Sequence, residues 1–271
     1  MTRPPAPVQH LLPPITDPTV HATLDRLARR YVKAGGVGME ILAWVGGSAE
    51  GLLARLPTPV RNGLDDLTAS ALTAAMAAAG RVRPPRSGGY GDGVNRAVTA
   101  AIGAAGGAAG LAGALTELPV TVTVLLRTIL GIAAEHGLDP ADPETRAEAL
   151  RVFATAGPMA EDDGTDMGLL AARLTLTGQS VQALIARIAP RFAAVLGQKL
   201  AAQSAPVLGA MAGAGINFAF TRYYQEMARV HFGLIRLADE TGLPREALLD
   251  ALRHRIVTLE AQRKRTRRAR G

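Results

Sequence analysis

The chain has 271 residues, of which 48% are apolar and none is cysteine, and this excludes disulfide frameworks, thiolate metal sites and cysteine nucleophiles. Its formal net charge of +7 comes entirely from residues 253–271, which hold eight Arg or Lys and one Glu. The preceding 252 residues hold 22 basic and 22 acidic side chains. The basic charge is therefore a feature of the C-terminal tail, and the body of the chain is neutral.

The N-terminal segment, residues 1–18, contains six prolines. Proline removes amide donors and blocks helix formation, so these residues are predicted to form a flexible or polyproline-like arm. The segment lacks the uninterrupted apolar run of a secretory signal peptide, which predicts a cytoplasmic protein.

Helical periodicity begins directly after this arm. Apolar residues at three- and four-residue spacing predict a helix over 24–32, followed by a break at the glycines of 35–38. A second amphipathic pattern over 60–76 predicts a helix that stops near Gly80. The Pro/Gly-rich residues 81–93 predict an internal loop.

The middle of the chain continues this pattern. Residues 94–115 form a Gly/Ala-rich helix candidate, and Thr116 with Pro119 predicts the start of the next helix. Gly137 predicts its end. Asp142, followed by Pro143 and Glu144, predicts a further helix start, with Asp as the cap and Pro at the first helical position.

Later helix starts are assigned to Pro190, Pro206 and Pro244. The β-branched residues 120–124 permit a short strand, but the preceding Pro and the helical spacing of the following apolar residues favour a buried helix. We therefore predict an all-α fold, a multi-helix bundle with central Gly/Ala-rich helices, built as a single domain over residues 19–252.

Residues 97–116 and 200–221 carry no charge and are long enough to cross a membrane. Five glycines in the first stretch, and Gln203, Ser204, Pro206 and Asn217 in the second, weaken the tendency to insert. Small residues four apart allow close helix packing, both in a membrane and in a soluble bundle. Central packing in a bundle is favoured over full spanning, and peripheral membrane association remains open.

Standard catalytic and cofactor motifs are absent from the sequence. It has no phosphate-binding Gly-Lys loop, no His-Glu-x-x-His pair, no complete nucleophile elbow and no dinucleotide fingerprint. The five histidines are scattered singly, as expected for structural histidines. We predict no metal, no cofactor and no catalytic residue, and a non-enzymatic protein is favoured.

Two charged residues, Glu117 and Arg127, interrupt an apolar region of the sequence. A buried charge needs a partner or a wet cavity. Ion pairs with neighbouring helices are the favoured interpretation. The alternative is a polar cavity that binds a ligand or a lipid head group.

The C-terminal tail, residues 253–271, ends in a basic cluster of Arg263, Lys264, Arg265, Arg267 and Arg268. Such a cluster binds anionic lipid or the phosphates of nucleic acid. Because no DNA-reading motif accompanies it, an anionic membrane surface is the favoured partner, and specific nucleic-acid binding is not expected. A solvated terminus without a partner is the remaining alternative.

Two segments resemble the EcsC protein family. The first segment contains Glu117-Leu118-Pro119, then Leu126-Arg127-Thr128-Ile129, and ends in His136-Gly137-Leu138-Asp139. The second segment contains Lys199, then Pro206-Val207-Leu208-Gly209-Ala210, and ends in Gly215-Ile216-Asn217. The resemblance covers roughly residues 25–240. It implies a bacterial, helical protein. The family takes its name from a gene that accompanies an ABC transporter, and its activity is not established.

The resemblance implies eight candidate positions. Five are polar and form a candidate ligand site, and three are packing positions. They are Glu117, Arg127, Asp139, Lys199 and Asn217, and Gly137, Pro206 and Gly209.

Two functional hypotheses follow. The first is a non-enzymatic, membrane-associated helical accessory protein, with a link to ABC-transporter function implied by the family name. It would be cytoplasmic, peripheral to or embedded in the inner membrane, with an anionic membrane surface or a membrane protein as partner. The alternative is a soluble enzyme, or a binder of lipid or a small ligand, with a polar pocket near Glu117, Arg127 and Asn217.

Overall fold

The computed structural model describes residues 15–45, 53–54, 56–81, 96–102, 110–153, 181–203 and 209–268. Its helices are α1 (Pro18–Val45), α2 (Thr58–Arg81), α3 (Gly110–Glu135), α4 (Pro143–Val152), α5 (Val181–Gln203), α6 (Gly209–Thr241) and α7 (Arg245–Arg268), and residues 96–102 are also helical. These described ranges contain no strand. The predicted all-α fold is therefore confirmed, and residues 120–124 are helical.

Two helix boundaries follow the sequence signals closely. The Asp142 carboxylate accepts a hydrogen bond from the Thr145 amide at 2.9 Å, with Pro143 at the first position of α4. That amide hydrogen bond lowers the pKa of Asp142. Helix α3 ends just before Gly137, whose φ of +86° is a conformation that favours glycine.

Three boundary predictions are wrong, because helices continue through residues that favour interruption. Helix α1 runs through the glycines of 35–38, α3 contains Pro119, and α5 contains Pro190. A glycine costs about 1 kcal/mol and a proline about 3 kcal/mol in a helix interior, and tertiary packing of a long apolar helix outweighs such amounts. The Pro119 carbonyl also accepts the Thr123 hydroxyl at 2.7 Å.

The helices pack around α3, α5 and α6. Helix α2 lies against α3 and α5, α4 contacts all three central helices, and α1 packs between α6 and α7. Arg30 bonds Glu226 while Leu27 lies at Gly233, so α1 and α6 run antiparallel. Arg255 bonds Asp25 while Arg263 reaches the Val32 carbonyl, so α1 and α7 run parallel.

An aromatic cluster forms the centre of the core where α4, α5 and α6 meet. The Phe153 and Phe192 ring centroids lie 4.7 Å apart, and Tyr224 stands edge-on to Phe192 at 5.9 Å. All three side chains are fully buried. Such tilted and edge-to-face pairs stabilise a core beyond their buried area.

Parts of the predicted organisation lie outside the described residues, namely the arm up to residue 14, residues 82–93 of the internal loop and Pro206. In the part of the chain that is described, one helix, Leu111–Glu135, is long and apolar enough to cross a membrane. Of its most apolar window, 67% is buried inside the protein, as in the core helix of a bundle. The two uncharged stretches, 97–116 and 200–221, are described only in part.

Candidate functional site

Three of the predicted polar residues meet at one point between α3, α5 and α6. Oε1 of Glu117 accepts hydrogen bonds from Nζ of Lys199 and from Nδ2 of Asn217, both at 2.7 Å. Lys199 and Asn217 are completely buried and Glu117 is 6% exposed. The three side chains, 82 and 100 residues apart in sequence, therefore form one buried polar centre.

Three threonines extend this polar centre. Thr121, one helical turn after Glu117, donates its hydroxyl to Oε1 at 3.0 Å. Asn217 also donates Nδ2 to the carbonyl of Thr99 at 2.9 Å, and Thr221 donates to the Thr99 hydroxyl at 2.8 Å. Residues 96–102 are thereby tied to α6.

The electrostatics of the polar centre are those of a buried ion pair. Burial lowers the pKa of Lys199, and the Glu117 carboxylate, by its charge and hydrogen bond, opposes this shift only in part. Oε2 of Glu117 and Oδ1 of Asn217 are buried without a hydrogen-bond partner in the described structure. Both are acceptors, so a group that donates hydrogen bonds would complement them.

The other predicted positions lie elsewhere. Arg127 is exposed on α3, ten residues or about 15 Å of helix beyond Glu117. Asp139 is exposed in the turn before α4, where its carboxylate accepts the Ala141 amide at 2.9 Å. Gly209 begins α6. The structure thus brings Glu117, Lys199 and Asn217 together and leaves Arg127 and Asp139 apart from them.

A second buried charge cluster, centred on Glu148 of α4, was not predicted. Its Oε1 is 2.5 Å from Nη1 of Arg151, its Oε2 is 2.7 Å from Nε2 of His231, and Arg245 lies 3.8 Å away. Burial raises the pKa of Glu148, but the hydrogen bond from His231 and the positive charges around it outweigh burial, so the net shift is downward. The i, i+3 spacing of Glu148 and Arg151 was the only local signal in the sequence.

Both clusters are networks of ion pairs and hydrogen bonds between helices. Each ties together elements that are distant in sequence, and each carboxylate is held by cationic or amide donors. Among the described residues, no group of His, Asp and Glu is placed to hold a metal ion.

The basic end of α7 is exposed at Arg263, Lys264 and Arg265. Leu248, Leu252 and Ile256 bury one face of this helix. Arg255 contacts Asp25 and His21 of α1, which locks the two helices together. The cluster starting at Arg263 follows on the same continuous helix.

The fold and these buried ion pairs define an all-α protein whose central helices are cross-linked by charge. The chain belongs to the EcsC protein family, whose family profile matches residues 92–237, more than half of the chain. Comparisons with curated proteins and with solved structures found no match. The matched segment contains the whole polar centre and most of the Glu148 cluster, whereas α1, α2 and α7 lie outside it.

Proposed function

We propose that this chain is a non-enzymatic helical accessory protein that binds the anionic surface of the inner membrane through the basic end of α7. Its partner would be the membrane surface itself or a membrane protein, with a link to transporter function. One observation carries the proposal. The described side chains of the basic cluster, Arg263, Lys264 and Arg265, are all exposed on a helix whose preceding turns are anchored in the core.

The anchoring supports membrane docking because it gives the charges a fixed position. Arg255 bonds Asp25 at 2.8 Å, and Arg263 donates to the Val32 carbonyl at 3.1 Å. The exposed faces of α1 nearby carry Arg29 and Lys33. Basic side chains held together in this way attract an anionic surface with about 1 kcal/mol each.

The buried polar centre supports a non-enzymatic role. A general acid, base or nucleophile must reach a reacting group. Lys199 and Asn217 instead both donate to Glu117, and all three side chains are buried. The favoured role of this centre is to hold α3, α5 and α6 in register.

Vesicle co-sedimentation tests the proposal. The full chain is mixed with phosphatidylcholine vesicles that contain phosphatidylglycerol, at low and at high salt. The Lys264→Gln/Arg265→Gln variant is expected to bind about 30-fold more weakly at low salt, because two charges that each contribute about 1 kcal/mol are removed. Added salt is expected to release the unmodified chain, since exposed charges are screened.

The matched control removes two exposed arginines from other helices, Arg61→Gln on α2 and Arg187→Gln on α5. This control lowers the net charge by the same amount but leaves the basic cluster intact. Because the proposal depends on the position of the charges, its vesicle binding is expected to change by less than about twofold. Equal loss in both variants, or no binding by the unmodified chain, contradicts the proposal.

A second candidate function is ligand binding at the polar centre, favoured by the two unpartnered oxygens of Glu117 and Asn217. A small ligand with hydrogen-bond donors would complement them. Native mass spectrometry of the protein purified from its own cell tests this candidate. A retained small molecule that is lost in Asn217→Ala supports it, and a mass equal to that of the bare chain contradicts it.

A further inference from the structure

A groove outside the polar centre has four arginines and one acid, Glu240, among the ten residues that line it. It lies between the antiparallel helices α1 and α6, near the end of α3, and has a volume of about 440 Å³. Its cationic lining comes from Arg26 and Arg30 of α1 and from Arg229 and Arg236 of α6. No residue of the 253–271 tail lines it, so it is separate from the surface of the proposed function.

The floor of the groove depends on close contact between the two helices. A Cβ atom at Gly233 would lie 2.9 Å from Cδ2 of Leu27 and 3.8 Å from Nε2 of His136. The absence of a side chain at Gly233 therefore lets Leu27 of α1 pack directly against the backbone of α6. The His136 imidazole is fixed there through Nδ1, which lies 2.8 Å from the Ile132 carbonyl.

Two of the four guanidinium groups are held by glutamates, Arg30 by Glu226 at 2.7 Å and Arg229 by Glu135 at 3.5 Å. Arg26 and Arg236, by contrast, remain accessible to an added anion. Arg26 is exposed, donates to the Thr23 hydroxyl at 3.0 Å and has no ion pair within the described structure. Arg236 pairs with Glu240 at 2.6 Å, but both side chains are more than half exposed. Exposed pairs of this kind are weak, so a stronger anion can displace them.

A phosphate monoester fits this lining best. Its charge of about −1.5 to −2 and its three terminal oxygens can engage several guanidinium groups at once, whereas a carboxylate offers only two oxygens. Arginine donates two parallel hydrogen bonds to such a group. The guanidinium groups of Arg26 and Arg236, on facing helices of the groove, supply donors of this kind.

We propose that the groove between α1 and α6 binds a phosphate monoester, with Arg26 and Arg236 as its main ligands. The same terminal group occurs on free phosphate esters and on phosphatidic acid. The structure supports the shared chemistry, and the experiment separates the two sources.

Isothermal titration with glycerol 3-phosphate, at constant ionic strength set with chloride, tests the free source. Arg26→Gln/Arg236→Gln is expected to weaken binding by at least about tenfold, because two charged donors to the phosphate group are removed. Both side chains are exposed, so the variant should keep its far-UV circular dichroism. Arg61→Gln/Arg187→Gln, which removes the same charge elsewhere, should change binding by less than about twofold.

Vesicle binding tests the lipid source. Vesicles with phosphatidic acid are compared with phosphatidylglycerol vesicles of the same surface charge, since only the first carry a phosphate monoester. A preference for phosphatidic acid that disappears in Arg26→Gln/Arg236→Gln assigns the groove to the lipid. Absence of both glycerol 3-phosphate binding and this preference overturns the proposal, as does equal loss in the control variant.

Discussion

Replacing Lys199 by Met tests whether the polar centre holds the central helices together. The substitution keeps a long apolar stem and removes the ammonium group that lies 2.7 Å from Oε1 of Glu117. Glu117 then keeps only the amide of Asn217 and the hydroxyl of Thr121 as donors to that oxygen.

The size of the effect follows from the geometry. At 2.7 Å and an effective dielectric constant of about 20, the attraction between Lys199 and Glu117 is roughly 6 kcal/mol before the cost of removing both charges from water. Removing one partner of a buried pair typically destabilises a protein by about 3–5 kcal/mol, because the other charge stays buried. We expect a loss of this size for Lys199→Met and a similar one for Glu117→Gln.

Urea unfolding followed by circular dichroism measures both variants and their combination. If the two groups stabilise the fold as a pair, the double variant should lose about 2 kcal/mol less than the sum of the single losses. Single losses below about 1 kcal/mol, or strictly additive losses, would refute the reasoning.

Three further predictions concern stability. Folding lowers the pKa of Glu148, so its contribution to the free energy of unfolding is complete above its unfolded pKa of about 4.3 and is lost as pH falls through the folded pKa. Glu148→Gln should therefore flatten the acid side of the curve of stability against pH. An unchanged slope would contradict this prediction. Phe192→Ala should lower the free energy of unfolding by about 3–5 kcal/mol, because the ring is fully buried between Phe153 and Tyr224, and a loss below about 1 kcal/mol in urea unfolding would count against that packing. Thr221→Val should lower the free energy of unfolding by about 1–2 kcal/mol, because it removes the hydrogen bond to Thr99. Thr258→Val, at an exposed position, is the control and should change the free energy of unfolding by less than about 0.5 kcal/mol in the same assay.

The fold could be read from the sequence where local signals and packing agree. Asp142 with Pro143 starts a helix and Gly137 ends one, because capping and backbone conformation are properties of a few neighbouring residues. The same local reasoning failed at Pro119 and Pro190. There the burial of a whole helix outweighs the local penalty, and that burial depends on partners far away in the sequence.

The polar centre could be predicted only as a set of residues. The family resemblance grouped Glu117, Lys199 and Asn217 with Arg127 and Asp139, but nothing local indicates which of them meet across 82 or 100 residues. Arg127 lies ten residues, or nearly three helical turns, beyond Glu117, and its side chain is exposed. The pairing of Glu148 with His231 is equally non-local. Such contacts are fixed by helix packing and not by spacing.

Salt-dependent fractionation of the producing cell tests the central claim of membrane association most directly. The chain is expected to sediment with membranes at low salt, because exposed basic residues hold it at the anionic surface, and to move into the high-speed supernatant when salt is raised. Full recovery in the supernatant at low salt would contradict the account. Retention in the membrane pellet until detergent is added would contradict a peripheral, electrostatic attachment.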